Sequence, residues 1–539
     1  MTTAAAATPT RTKAATLVLV TLASGQFLMT LDTSVMNVSI ATVANDVGTT
    51  VTGIQGAITA YTLVMASLMI IGAKIGAMIG RKRAFSIGCV IYGCGSFTTS
   101  IAPNLPVLLF GWSFLEGVGA ALILPAIVAL VAGNFPVARR PAAYGMVAAA
   151  GAIAVAVGPL IGGIFTTYFS WRWVFAGEVL IVIAILILTR RIEDAPPPET
   201  RPKLDLVGAV LSAAGLGLLV FGVLRSGEWG WIKPRAGGVS WAGISPTTWL
   251  VLAGFAVLWL FLHWENYREE HGKEPLIQPA LLKNKQLTGG LTMFFFQYLA
   301  QAGLFFVVPL YLSVCLGLSA LATGARLTPL SITLLAAAIG IPRLRPNANP
   351  RRVVRLGLFA LLLGTVVLLG ALDTDAGPEI VLLPMLLIGA GIGALASQLG
   401  SVTVSAVPDD QAPEVGGIQN TATNLGASMG TALAGALLIA AMSTAFLNNI
   451  EKSDAIPSRV KSEAQVNLAS GVPFISDADL QKALDDAHVS SKTTQAAVTA
   501  YQKSRITGLK AALAILSLMT IVALLLTGRI PKTQPGSKA

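Results

Sequence analysis

Charge is what this sequence has least of. Lysine, arginine, aspartate and glutamate make up 12% of its 539 residues, where a soluble domain carries about 25%. Apolar residues fill 54%, and the mean hydropathy is +0.72. That balance excludes a water-soluble enzyme, a disordered chain and a nucleic-acid binder. Histidine is nearly absent, and His263, His271 and His488 are too scattered to share a metal ion. Cys89, Cys94 and Cys315 sit in or beside apolar stretches. Their spacing fits neither a metal-ligand motif nor a disulfide framework, so no metal site is expected. Nothing resembles a Walker loop, which argues against ATP-driven pumping. The first apolar stretch is too long for a cleavable signal and reads as a retained span.

What is present is a series of long apolar runs. A membrane-crossing helix needs about 20 such residues. Fourteen stretches qualify: 14–40, 53–73, 84–102, 106–132, 142–168, 174–189, 205–224, 247–264, 288–312, 320–341, 353–371, 379–405, 415–442 and 505–527. The expected fold class is therefore an all-α polytopic membrane protein. With the N-terminus inside, the loops after even-numbered spans and the two tails collect most of the loop cations, among them Arg81, Lys82, Arg83, Arg139, Arg140, Arg190, Arg191, Arg351 and Arg352. The short opposite loops carry Arg172, Arg225, Lys233 and Arg235. This asymmetry is the positive-inside pattern. It places both termini in the cytoplasm of a multi-pass protein of the inner (cytoplasmic) membrane. It also accounts for most of the net charge of +11.

The spans divide six, two and six. Residues 1–190 form an N-terminal six-helix bundle. Residues 191–287 form a two-helix insert with flanking cytoplasmic loops, including the stiff spacer Pro196-Pro197-Pro198. Residues 288–539 form a C-terminal six-helix bundle. Its polar loop 446–503, helical in its later part from Asp477 to Lys503, reads as a solvated external cap or a substrate entrance. Two six-helix halves of this kind place a substrate site near the midplane between them.

Span five contains Gly158-Pro159-Leu160-Ile161-Gly162-Gly163. Proline bends a helix and glycines admit a close neighbour. Alone, this fits helix packing as well as function. In context it is followed by Phe169-Ser170-Trp171-Arg172-Trp173, preceded by Gly80-Arg81-Lys82-Arg83 after span two, and preceded further by Leu31-Asp32-Thr33-Ser34-Val35-Met36-Asn37 in span one. In this order, with fourteen spans, the chain resembles the major facilitator superfamily, and within it the fourteen-span drug:proton antiporter branch of the EmrB/QacA type. The resemblance implies the major facilitator fold in a 6+2+6 arrangement. It also implies expulsion of substrate coupled to proton entry, with Gly158, Pro159, Gly162 and Gly163 as the antiporter motif. Gly80, Arg81, Lys82 and Arg83 become part of a conformational latch, and Asp32 the acidic residue of span one. The sequence departs from the family at Ala77, where the latch normally has an Asp. It departs again at Ser113 and Glu116, where the span-four motif offers Arg and Gln, and at Glu178, where relatives often carry Asn.

Asp32, Glu116 and Glu178 lie inside apolar segments, where a charge costs about 2.5–3.5 kcal/mol on insertion scales. Such residues normally face a cavity or a partner. These three are the expected proton-coupling residues, with a packing partnership as the alternative for Glu116 and contact with interfacial water for Glu178. Gln26, Thr30, Thr33 and Asn37 share one face of span one, beside Met29, and either line a cavity or pack against another helix. Span nine offers Phe294, Gln297, Tyr298, Gln301 and Phe305. Span thirteen offers Asn420 and Asn424. Aromatic surface with a few amides suits a large apolar solute, and ordinary helix packing is the alternative. Together these are the expected substrate-binding residues.

The expected function is a proton-coupled secondary transporter, an antiporter that exports lipophilic drugs or small molecules, whether or not they are cationic, as in multidrug efflux and antibiotic resistance. The alternative is an exporter of lipids or lipid-like metabolites on the same fold. A non-transporting receptor is disfavoured by the short cytoplasmic loops. The chain is not expected to be an enzyme. The driving force is the proton motive force without a cofactor. The partners are the lipid bilayer, a small lipophilic substrate and protons, with no nucleic acid and the chain working as a monomer.

Overall fold

In lipid every backbone N–H and C=O must be satisfied within the chain, which leaves helices as the natural solution for apolar runs of this length. The computed structural model describes residues 9–135, 140–192, 194, 203–235, 239–408, 411–453, 456–457, 461, 472–486 and 489–533. The triple proline at 196–198, Arg139 and most of 454–471 lie outside them. Among the described residues there are fourteen long helices and no strand. They are α1 (Pro9–Asp46), α2 (Val51–Ile79), α3 (Arg81–Ser100), α4 (Leu105–Leu108, Leu109–Glu116 and Gly117–Asn134 end to end), α5 (Arg140–Tyr168), α6 (Arg172–Thr189) and α7 (Leu206–Trp229). Then come α8 (Pro246–Glu270), α9 (Lys285–Leu310, continued by Tyr311–Cys315), α10 (Ala320–Leu344), α11 (Pro350–Ala371), α12 (Leu382–Val404), α13 (Ala412–Glu451) and α14 (Ser491–Leu526).

Thirteen of these are long and apolar enough to cross a membrane, and the chain is a multi-pass membrane protein. The remaining one, α3, begins with three cations and is rich in Gly, Ser and Thr. Its small side chains let it sit between α4 and α6. Side-chain caps mark several starts. Thr50 accepts from the amide of Gly53, Ser319 from Ala322, Asn349 from Arg352 and Ser490 from Thr493. Each satisfies an amide that its helix leaves open.

Among the first six helices, α1 packs along α5, and α4 along α2 and α3. Among the last six, α9 packs along α13, α13 along α14, and α12 along α10 and α11. Glycine sets these distances. A Cβ on Gly426 or Gly430 of α13 would strike the backbone of Phe295 or Leu299, and one on Gly389 or Gly393 of α12 would strike that of Leu330 or Leu334. The two groups of six meet through α2 against α13 and α5 against α10.

Two features differ from expectation. The loop between α13 and α14 is shorter and more tightly docked than a solvated cap. Val472 and Phe474 are buried, the amide of Val472 donates to Ser443 Oγ at 2.9 Å, and Arg505 of α14 pairs with Asp477. The helix expected across Asp477 to Lys503 is broken, because Ser490 caps a fresh start for α14.

The second feature is the insert. α7 and α8 pack on each other, and α7 also lies against both α2 and α13. The segment after α8 then crosses from one group of six to the other. Lys74 Nζ of α2 reaches Pro275 O at 3.3 Å and Glu274 at 3.4 Å. The amides of Leu276 and Ile277 donate to the buried Glu265 of α8, and the amide of Gln278 donates to Glu414 of α13 at 3.0 Å. Leu276 and Ile277 are buried with Ile70, Val415 and Ile418. The segment 274–278 is a strap holding α2, α8 and α13 together at the end of the molecule where α1 begins.

Candidate functional site

A cavity of about 160 Å³ lies between the two groups of six, walled mainly by α1, α2, α9 and α13. It gathers Gln26, Met29, Thr33, Asn37, Tyr298, Gln301, Phe305, Asn420 and Asn424, nine residues expected at a substrate site from the sequence. Two others do not join them. Phe294 is packed in a separate core with Met293, Val354, Leu358 and Leu395. Gln297 is buried at 3% exposure and is absent from the lining. The broad face of α9 was drawn too wide, because only its Tyr298–Gln301–Phe305 edge points inward. Sequence reasoning missed Tyr61, Thr62 and Met65 of α2, which with Ile58 also line the cavity. Their one-turn spacing on a single helical face was the available signal.

The polar lining is largely self-satisfied. Thr30 Oγ1 donates to Gln26 O at 3.0 Å, Asn37 Nδ2 to Thr33 O at 2.8 Å and Asn424 Nδ2 to Asn420 O at 2.9 Å. The side-chain amides of Gln301 and Asn420 are not tied in this way, so the wall presents both donors and acceptors to a guest. No Asp, Glu, Lys or Arg is part of the wall.

The expected acids lie next to this cavity rather than in it. Asp32 and Glu116 have no exposure and Glu178 has 1%. An oxygen from each lies within 4.8 Å of the others. The structure therefore brings together residues from α1, α4 and α6, but it does not place them on the cavity wall. The reason is an aromatic partition. Tyr61 lines the cavity and stacks on Trp112, with ring centroids 5.2 Å apart and planes 12° apart. Behind it, Trp112 Nε1 donates to both carboxylate oxygens of Asp32 at 2.9 Å. Glu116 accepts from Thr99 Oγ1 at 3.2 Å and Glu178 from Ser96 Oγ at 3.1 Å.

Local backbone makes this placement possible. Trp112, Ser113 and Glu116 sit on a π-helical stretch, Leu109–Glu116. Such wider turns recur at functional sites, and hydropathy carries no signal for one. Ser113 Oγ donates to Ala57 O of α2 at 2.9 Å. Gly95 leaves room for Glu116, since a Cβ there would lie 2.6 Å from Glu116 Cγ. No described ion pair includes any of the three acids. Two unit charges 4.8 Å apart repel by about 3–4 kcal/mol at an effective dielectric constant near 20. The charge states of the three carboxyls are therefore coupled to one another.

The glycine–proline motif of α5 is an interface. A Cβ on Gly158 would meet Ser34, and one on Gly162 would meet the backbone of Val35 at 2.9 Å, both on α1. A Cβ on Gly163 would lie 2.7 Å from the backbone of Leu321 on α10, and Gly324 of α10 in turn rests on the carbonyl of Pro159. The motif presses α5 into α1 on one side and into the other group of six on the other.

The geometry around a central cavity agrees with a comparison of sequences. Residues 22–431 match the model of the Major Facilitator Superfamily. The chain belongs to this superfamily. A probable actinorhodin transporter of Streptomyces coelicolor is 30% identical over 416 residues, covering 76% of this chain and 69% of the relative. A puromycin resistance protein of Streptomyces alboniger is 29% identical over 421 residues, 77% of this chain and 80% of the relative. Among solved structures, a bacterial homologue of the human lysosomal transporter Spinster superposes with a TM-score of 0.60 at 15% identity, covering 99% of this chain and 100% of that one. That likeness shows the fold.

Within this superfamily fold the turn between α2 and α3 is the expected latch. Gly80 has φ +101°, a left-handed conformation that glycine adopts without strain. Arg81 donates to Ala73 O at 2.8 Å. The acid missing at Ala77 is replaced in space by Asp194, beyond the end of α6. Its Oδ1 accepts from the amide of Lys82 at 3.0 Å, and Lys82 Nζ donates to Ile192 O at 2.7 Å and Arg190 O at 3.2 Å. Arg83 takes no part in these contacts. Sequence reasoning sought the acid in α2 and so missed one more than a hundred residues away. Asp194→Asn is expected to fold normally, since an exposed pair contributes about 1 kcal/mol or less. It is expected to slow initial efflux by roughly fivefold, as 1 kcal/mol shifts a conformational equilibrium by about that factor. An unchanged efflux rate would remove Asp194 from the latch.

Proposed function

We propose that this protein is a proton-coupled antiporter that exports lipophilic drugs or small molecules, including weakly cationic ones. The observation that carries the proposal is the adjacency of an interhelical cavity to a buried acid trio, joined through Tyr61 and Trp112. A guest pressing on Tyr61 moves the stacked indole, which changes the hydrogen bonding of Asp32 and with it the trio's hold on protons. The neutral wall of aromatic, amide and hydroxyl groups selects guests that combine apolar surface with a few polar groups. The relatives named for actinorhodin transport and puromycin resistance support this reading.

In this reading the chain lies in the cytoplasmic membrane with both termini inside, as the loop cations argue. One chain suffices, because both walls of the cavity come from it. Protons arrive from outside when the cavity faces that way and leave inside, driven by about 2.3 kcal/mol per charge per 100 mV. Amides and hydroxyls on every wall disfavour acyl chains, so no observation supports lipid export over this reading.

The test uses purified full-length protein in proteoliposomes with an internal pH dye. A panel of lipophilic substrates is added, and substrate-driven proton movement is recorded. Movement that saturates with substrate, and that falls at least tenfold in Tyr61→Ala, is expected. Substrate flux with no accompanying proton movement would overturn the proposal.

A further inference from the structure

The acid trio has a property that proton exchange does not require. One oxygen each from Asp32, Glu116 and Glu178 lie within 4.8 Å of one another. A hard cation bound about 2.3–2.6 Å from its ligands keeps those ligands within about 5 Å of each other, so one ion of that size reaches all three. Two hydroxyls outside the acidic set lie beside members of the trio. Tyr61 faces Asp32 and Tyr92 faces Glu178. Both are fully buried, and neither hydroxyl has a hydrogen-bond partner outside the trio. Glu116 Oε2 and Glu178 Oε1 are unpartnered as well.

We propose that Asp32, Glu116, Glu178, Tyr61 and Tyr92 form a sodium-ion site, occupied in exchange for protons. The ligands are all oxygen, which suits hard cations and disfavours zinc or copper. Magnesium requires near-octahedral geometry and retains water, and the three acids are buried with no place on the cavity wall. Calcium takes six to eight oxygens, more than these five groups supply as single donors. Sodium accepts a smaller, irregular set and supplies the positive charge that no neighbouring Lys or Arg provides. Trp112 holds Asp32 by donating to both of its oxygens, leaving the remaining lone pairs for the ion. As a coupling ion sodium rests on the exporter reading above, whereas binding of sodium can be measured without it.

The measurement is thermal unfolding of the full-length protein in nanodiscs at pH 8, in sodium, potassium or choline chloride of equal ionic strength. Sodium at about 100 mM is expected to raise Tm by about 3 °C or more over both other salts, through binding to the folded state alone. The rise is expected to shrink at pH 5.5, where protons occupy the same oxygens, and to be lost in Glu116→Gln. Equal Tm in the three salts, or a full sodium response in both Glu116→Gln and Glu178→Gln, overturns the proposal. A second readout needs no variant. Carbodiimide labelling of Glu116 and Glu178, mapped by mass spectrometry, is expected to slow at least twofold in sodium relative to potassium, and equal labelling overturns the site. Substrate-driven proton movement in sodium-free buffer keeps the two proposals apart. Movement without any sodium effect sinks only the ion site, and sodium binding without proton movement sinks only the exchanger.

Discussion

Asp32→Asn is expected to abolish substrate-driven proton movement while leaving the protein folded. Asparagine keeps the size of the side chain and still accepts from Trp112 through its carbonyl, so the stacked Tyr61–Trp112 partition survives. What disappears is the group that couples the partition to the trio. A coupling free energy of about 1–3 kcal/mol corresponds to roughly 5–150-fold in affinity or flux, and loss near the upper end is expected, because Asp32 is the only one of the three acids bonded to the partition. Glu116→Gln and Glu178→Gln act on the same unit from behind and are expected to do less individually. The measurement is proton movement per substrate in proteoliposomes, compared at matched protein density. Undiminished coupling in Asp32→Asn would exclude the route through Trp112.

Gly163→Leu is expected to stop transport nearly completely, by a different mechanism. Even a single Cβ at this position would lie 2.7 Å from the backbone of Leu321 and 2.8 Å from the carbonyl of Ala320. Backbone on a neighbouring helix cannot turn aside as a flexible side chain can. A leucine must therefore push α5 away from α10, at the place where the Leu321 amide also donates to Thr167 at 3.1 Å. Overpacking of this kind costs about 1–3 kcal/mol, paid only in the conformation that brings the helices together. The equilibrium then shifts by roughly 5–150-fold toward the separated arrangement. The expected outcome is unaltered substrate binding with efflux at background. Accessibility of a cysteine placed beside Leu321 should rise in parallel. Normal efflux in Gly163→Leu would show that this contact does not have to form during the cycle. Gly145 offers a control on the same helix, since a Cβ there meets open space.

Much of this was legible in the sequence because lipid simplifies the problem. Run length sets helix number, so fourteen helices emerge in the expected order, although α14 begins at Ser491 rather than near 505 and α13 runs to Glu451 rather than 442. The buried acids were legible as well, for the energetic reason that none is tolerated without a purpose. Their assembly was not. Asp32, Glu116 and Glu178 are 84 and 62 residues apart along the chain (116 minus 32 and 178 minus 116), and they meet only because a π-helical stretch rotates Glu116 toward Gly95. A local change of helical pitch has no signature in hydropathy. The same holds for the partition. From sequence the acids face a cavity or a partner, and the stack of Tyr61 on Trp112 stands between them and the cavity. Phe294 and Gln297 were misplaced because an apolar face in a membrane helix has no polar side to define its edge. Asp194 was missed because the search for a latch acid followed the chain rather than the surface.

The strap after α8 has a mechanical consequence. Lys74 and Glu414 belong to helices of different groups of six, and both grip one stretch of five residues. Any widening of the molecule at this end has to lengthen that stretch, or peel Leu276 and Ile277 out of their apolar seat, before the walls can part. The two added helices thus act as a limiter on stroke, and the largest cargo admitted from that side is set by the slack in a short peptide as much as by the dimensions of the chamber.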